Sequence, residues 1–230
     1  MFTANPMVLC LFIAVALILP VLSFGLRPAL ADSIKLPEPS YDSKVSVEKV
    51  LFERRSIRNY SDEAVALADV SQLLWAAQGM TDPGGYRTAP SAGALYPLEI
   101  YLIAGKVTNL PAGIYRYKAR GHELVKVLDG DKRSELANAA LGQSAVKQAP
   151  ATLGVIAIYS RTTQKYGDRG IRYVHMEAGH AAENACLQAV SLGLGTVVIG
   201  AFYDDDVKKV MQLGGSEEPL YLIPFGKRSR

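Results

Sequence analysis

Arg54-Arg55-Ser56-Ile57-Arg58 concentrates three guanidinium groups and a hydroxyl within five residues. Guanidiniums are planar forks of N–H donors that match phosphate oxygens, and a serine hydroxyl adds a donor that rotates to suit. At a helix end such a cluster can hold a phosphate monoester and spare one cation for a second electron-rich group. Taken alone, the same five residues also read as a solvated basic turn. A second stretch, Pro90-Ser91-Ala92-Gly93-Ala94-Leu95-Tyr96-Pro97, sets small residues between two prolines. Small residues let backbone approach a flat group closely, and Ser91 can donate to it. The competing reading is a tight connection into the strand that follows. A third piece is the apolar run Gly195 to Ile199, which ends at Gly200-Ala201-Phe202 and can frame one side of a planar ring.

Other chemistries lack their parts. There is no Gly-rich phosphate loop of the P-loop or Rossmann type, no GxSxG elbow, no HExxH and no EF-hand. His175 and His180 are five residues apart on a predicted helix, so they do not share a face as a metal pair would. His122 falls at a predicted turn and is read as exposed. The formal charge of +3 is too small to suggest a nucleic-acid partner.

The elements that must position these pieces follow from periodicity and punctuation. Ser46 can cap a short helix over 47–53, with Val47, Val50 and Leu51 facing inward. A second helix runs from Ala66 to Gln78 and stops at Gly79. Leu98 to Ala104 is a strand apolar on both faces. Gly113 to Lys118 and Glu123 to Leu128 form a hairpin. A helix is expected over 131–141, capped by Asp131, and a buried strand over 152–159. Residues 161–169 read as a polar link. The longest helix spans 170–192, with a wide face of mostly small residues that suits the domain centre or a dimer interface. Asp204 to Met211 is a short helix, and Pro219 to Pro224 the last strand. Alternating strands and helices give an α/β or α+β class with a mixed central sheet.

The N-terminal 31 residues stand apart. Met7 to Leu19 is unbroken apolar sequence, continuing with interruptions to Leu26, and Ala29-Leu30-Ala31 is a small-x-small pattern. This is the layout of a secretory signal peptide cleaved after Ala31. The segment before it holds no Lys or Arg, so a retained membrane anchor is the alternative. Residues 32–46, with Pro37 and Pro39, read as an extended tether, and residues 47–230 as one domain. Without residues 1–31 the chain keeps a single cysteine, Cys186, which makes no internal disulfide and is read as a buried small hydrophobe.

In order along the chain stand RRSIR, PSAGALYPLE, KYGDRGIRYVHMEAGH, GLGTVVIGAF and a closing PFGK. Together they resemble the nitroreductase family of FMN flavoproteins, most closely its SagB-type, azoline-dehydrogenase-like branch, from about Val47 to Lys227. The resemblance implies an α+β fold with a mixed central sheet wrapped by helices, and a homodimer with FMN at its interface. It implies that Arg54, Arg55 and Ser56 hold the FMN phosphate and ribityl chain, and that Lys227 adds to the phosphate site. Arg58 would sit near the pyrimidine end of the flavin. Ser91, Ala92 and Gly93 would contact the ring, typically from the other subunit, with Ile199 and Gly200 against the ring as well. Lys165-Tyr166 matches the Lys-Tyr pair implicated in azoline dehydrogenase chemistry; the residues themselves also read as part of an exposed link. The expected function is therefore an exported FMN-dependent oxidoreductase acting on a small organic substrate. A flavin-binding or scavenging protein without turnover is the alternative. The chain departs from peptide-modifying relatives in its short length and its apparent export signal, which count against an azoline substrate.

Overall fold

The computed structural model describes Met1 and residues 33–229. The chain divides into two units, Met1–Leu30 and Ala31–Arg230, and the second is the one described below. The expected signal peptide or anchor lies outside the described residues, among which no helix is long and apolar enough to cross a membrane.

The described residues form seven strands and seven helices, in the order β1 (Ser33–Lys35), α1 (Val47–Glu53), α2 (Leu67–Gln78), β2 (Leu98–Ala104), β3 (Gly113–Lys118), β4 (Glu123–Asp129), α3 (Arg133–Ala139), α4 (Ser144–Gln148), β5 (Ala151–Ala157), α5 (Ser160–Tyr166), α6 (Arg169–Ser191), β6 (Leu194–Thr196), α7 (Asp204–Met211) and β7 (Glu218–Lys227). The strands form one sheet in the order β1-β4-β3-β2-β5-β7-β6. Every pairing between these strands is antiparallel. The expected mixed sheet is corrected in this respect: parallel geometry occurs at isolated bridges, Ser56 with Thr196 and Val65 with Val107.

Side chains alternate across a strand, and both faces of this sheet are covered. Leu98, Ile100 and Leu102 of β2 pack with Leu153 and Val155 of β5 beneath α2 and α6. Tyr101 and Ile103 turn the other way, joining Ile156, Leu136, Val146 and Met211 beneath α3, α4 and α7. This two-sided burial explains why β2 and β5 are mostly apolar despite their antiparallel pairing, Glu99 and Thr152 being the exceptions. α6 lies at the centre of the first layer, where Ala178, Ala181, Ala182, Ala185 and Ala189 are buried. Its small residues let α2 and the sheet approach closely.

Several local expectations change. Ser46 does cap α1, accepting the Lys49 N–H at 3.3 Å, but of the three residues expected inward only Val50 is buried. Val47, Leu51 and also Phe52 face outward, Phe52 at 77% exposure, because this two-turn helix touches the domain along one line. Part of the expected tether is the edge strand β1, paired to β4. The expected polar link over 161–169 is mostly helix α5, which closes at Gly167 with φ 56°. α3 begins at Arg133, and Asp131 precedes it, accepting the Arg133 backbone N–H at 3.1 Å. The strand expected over 195–199 ends at Thr196, resuming as a bridge between Ile199 and Leu222. His122 is buried rather than exposed. Its ring meets the Ser71 hydroxyl at 2.6 Å and the Tyr117 hydroxyl at 2.8 Å, which ties the β3–β4 turn to α2.

Candidate functional site

The basic cluster leaves α1 in extended conformation and runs along β6. Ile57 N–H donates to the Thr196 carbonyl at 2.9 Å. Gly195 makes this approach possible: a Cβ there would lie 2.6 Å from Ile57 Cγ2. Farther along, Ser61 N–H donates to the Lys227 carbonyl at 2.9 Å, and Tyr60 bridges to Arg228. The buried Tyr60 hydroxyl donates toward the carbonyls of Ile57 (2.8 Å) and Pro224 (3.1 Å), clamping the stretch to β7. Arg54, Arg55, Ser56, Arg58 and Lys227, far apart in sequence, therefore gather at one edge of the sheet. Arg55, Ser56, Arg58 and Lys227 are exposed and Arg54 is half-buried. Two carboxylates hold part of this set in place: Arg54 Nε lies 3.1 Å from Glu183 Oε1, and Lys227 Nζ 2.6 Å from Glu63 Oε2. Arg55 donates to the carbonyls of Phe52 and Arg54, at 2.9 and 2.6 Å. Such a donor set suits a dianionic phosphate.

The second group forms around Ser91, Ala92 and Gly93. The chain turns sharply here, with positive φ at Gly93 (63°) and at two non-glycine residues, Ala94 (53°) and Tyr96 (46°). Left-handed conformation at non-glycine residues costs energy, and surrounding structure must over-determine it. Ser91 Oγ accepts the Tyr96 N–H at 2.9 Å, and Ala94 N–H donates to the Ser91 carbonyl at 3.0 Å. Gly93 faces the end of α5. A Cβ on it would lie 2.8 Å from the Tyr166 hydroxyl and 3.0 Å from Lys165 Nζ. Thus Lys165 and Tyr166 converge on the loop that the sequence singled out independently. Lys165 Nζ stands 5.3 Å from the Tyr166 ring centre, and the Tyr166 and Tyr173 rings meet edge-on at 5.2 Å.

What aims α5 is Arg161. Its guanidinium donates to the Tyr96 carbonyl at 3.0 Å and to Glu99 Oε1 at 2.5 Å. Glu99 also accepts from Arg116 Nε at 3.0 Å. Burial alone would raise the Glu99 pKa, but the two guanidiniums outweigh it and hold the carboxylate below its ordinary value. Below the loop, on α6, lies Glu177, only 2% exposed. Its Oε1 accepts from Gln78 Nε2 at 3.3 Å, and Gln78 Oε1 accepts from Arg87 at 3.0 Å. Burial pushes the Glu177 pKa up to about 7, opposed by hydrogen bonds from Ser91 and Gln78 and by the Arg87 charge. Sequence reasoning missed Glu177, Glu99 and Arg161. One signal for Glu177 was available: it falls in the buried stripe with Val174, Ala178 and Ala181, where a carboxylate is out of place.

Ile199 is buried and exchanges both backbone hydrogen bonds with Leu222 at 2.9 Å, after which Gly200 is exposed. These residues stand at the exit of β6, apart from the Gly93 group in sequence and element. α6 serves both groups, since Glu177 and Glu183 are six residues apart, or about 9 Å along the axis. A cavity of about 790 Å³ between residues 38–50, α2 and α6 contains none of the expected site residues.

The sequence model of the nitroreductase family matches residues 51–227. The chain is 45% identical to the nitroreductase candidate MJ1384 of Methanocaldococcus jannaschii over 199 residues, 86% of this chain and 99% of that one. It is 32% identical to the microcin B17-processing protein McbC of Escherichia coli, over 73% of this chain and 65% of McbC. The FMN reductase [NAD(P)H] of Bacillus subtilis is 28% identical, over 78% of this chain and 62% of the reductase. Among solved structures, a nitroreductase candidate from Ralstonia eutropha superposes with a TM-score of 0.76 at 32% identity, covering 86% of this chain and 90% of that chain.

Proposed function

Because the chain belongs to the nitroreductase family of oxidoreductases, we propose that it is an FMN-dependent enzyme that moves two electrons between flavin and a small organic substrate, with the character of the SagB-type, azoline-dehydrogenase-like branch. The observation that carries this reading is the convergence of Lys165 Nζ and Tyr166 Oη on Gly93, in the Ser91–Tyr96 turn strained at Ala94 and Tyr96. Similarity to McbC supports the branch, and similarity to an FMN reductase supports the cofactor.

The residues present fit FMN. Exposed Arg55, Ser56 and Arg58, with Arg54 and Lys227, give a donor set of the right chemistry for its phosphate and ribityl hydroxyls. Arg58 would lie near the pyrimidine edge, where a cation stabilises negative charge. Gly93, with no Cβ, and the exposed Gly200 offer backbone to a flat ring. Bound FMN supplies a ring that accepts or returns a hydride. The chain supplies orientation and a proton: Lys165 or Tyr166 holds or takes the proton that accompanies hydride movement, each having a donor atom at the loop.

A homodimer is part of this proposal. Val47, Leu51 and Phe52 of α1 and Ile171 and Met176 of α6 are exposed apolar side chains, and a second copy would cover them. Export is also part of it, supported by the apolar segment ahead of Ala31; N-terminal sequencing of the protein purified from the cell envelope decides between cleavage after Ala31 and a retained anchor.

The test of function is the pair Lys165→Met and Tyr166→Phe. Each should retain FMN and lose about 10²-fold or more in reduction or reoxidation rate, the usual contribution of a proton-transfer group. Retained FMN with unchanged rates would remove Lys165 and Tyr166 from the chemistry; wild-type protein that holds FMN but is neither reduced nor reoxidised by any substrate would instead be a flavin-binding protein without turnover.

A further inference from the structure

Glu177 stands in a stripe otherwise built of Val174, Ala178 and Ala181, and a carboxylate there costs stability unless it is bonded. The fold brings donors to it from two other segments. Gln78 of α2 donates at 3.3 Å and is itself held by Arg87 at 3.0 Å. Ser91 stands beside the carboxylate and favours its charged form, while its Oγ accepts the Tyr96 N–H at 2.9 Å. Arg87 also lies 4.5 Å over the Tyr96 ring. Both ends of the strained turn therefore face one buried carboxylate, Ser91 from beside it and Tyr96 through Arg87 and Gln78.

We infer that Glu177 is a positioning residue: it locks the Ser91–Tyr96 turn in its left-handed form and so fixes Gly93 against Lys165 and Tyr166. The link to flavin rests on the function proposed above; the hold on the turn does not. An ionised carboxylate is the stronger acceptor. Glu177 titrates near neutrality, at about 7, raised chiefly by burial. The charge acting on it is Arg87, itself facing Glu99 of β2 and Arg161 of α5; Gln78 and Ser91 are uncharged. Because opening the turn removes neighbours of a carboxylate that stays buried on α6, the hold is tighter above pH 7 than below it, even though global stability falls as the buried charge forms.

The test uses the full-length protein with Glu177→Ala and Glu177→Gln. Hydrogen-exchange protection of the Tyr96 amide is measured at pH 6 and pH 8, and FMN affinity is titrated at the same two values. Glu177→Ala should lose about tenfold protection at pH 8 and bind FMN about tenfold more weakly, the loss of one hydrogen bond to a charged group. Glu177→Gln retains an acceptor, so it should match wild type at pH 6 and fall behind it at pH 8. Titration of the free FMN is common to both proteins and cancels in the ratio. Wild-type protection and affinity in Glu177→Ala would overturn the inference. If that variant does not fold, Glu177→Gln decides, and a pH-independent ratio to wild type overturns the inference. Wild-type protein that refuses FMN refutes the flavin reading, while the exchange measurement still decides the role of Glu177.

Discussion

Replacing Gly93 with alanine separates the geometry of the Lys165–Tyr166 pair from its mere presence. At φ 63° an added Cβ costs about 1–2 kcal/mol in backbone strain. It also meets the Tyr166 hydroxyl at 2.8 Å and Lys165 Nζ at 3.0 Å. Both are the far ends of flexible side chains, so they yield at little cost in stability. They move, however, and misplacement of about 1 Å at a reacting centre costs on the order of 10²-fold. For a domain of this size 1–2 kcal/mol lowers Tm by about 2–8 °C. The expected outcome for Gly93→Ala is thus a modest fall in Tm and a fall of about 10²-fold in the rate at which a nitroaromatic acceptor reoxidises the dithionite-reduced flavin, followed by stopped flow. Combined with Lys165→Met, the two losses should not add, because they act on one unit. A Gly93→Ala protein with lowered Tm and a rate within twofold of wild type would refute the reasoning. The pair would then be a neighbour of the turn with no part in the chemistry.

Glu177→Gln should stabilise the protein above neutrality. The Glu177 pKa is raised from 4.5 to about 7, so the native state binds the extra proton and wild-type stability falls as pH rises from about 4.5 to 7. The full cost, about 3 kcal/mol, is present above pH 7 and absent in the variant; urea unfolding at pH 5 and pH 8 measures the difference. Gly195→Ala would place a Cβ 2.6 Å from Ile57 Cγ2, pushing the basic stretch off β6. It should cost about 1–3 kcal/mol and weaken FMN binding, whereas Gly200→Ala, with its nearest contact at 3.5 Å to Tyr221, should leave calorimetric stability unchanged. Glu99→Ala frees Arg161 and Arg116 of their shared partner. Loss of about 3 kcal/mol, with faster amide exchange in α5 than in α6, is the expected result.

The sequence carried the framework wherever local signals and packing agree. The bounds of α1, α7, β2 and β3 follow from Ser46, Asp204, the mostly apolar run of β2 and the alternation of β3, and the structure repeats them. Periodicity could not supply what depends on distant partners. His122 looked exposed at its turn, but α2 supplies Ser71 to bury it. Residues 161–166 looked like a polar link because the stabilising contacts of α5, Arg161 with Glu99 and Tyr96, lie on β2 and the loop before it. The small α3 and α4 share one short apolar contact layer, so their boundaries carry little periodic signal. At the site, the residue types were legible one by one. That Gly93 meets Tyr166 was not, because nothing in the sequence separation of these segments encodes the return of α5 to the loop. Glu177 was hidden by its helix, where it reads as an ordinary surface charge until the inward stripe is drawn.

The central claim is that this chain binds FMN through its gathered arginines. The most direct measurement is the visible absorbance spectrum of the purified protein before and after denaturation, repeated for Arg54→Ala/Arg58→Ala. Wild-type protein should be yellow and release FMN, and the doubly substituted protein should be folded and largely colourless. A folded wild-type protein that is colourless and also refuses added FMN would contradict it.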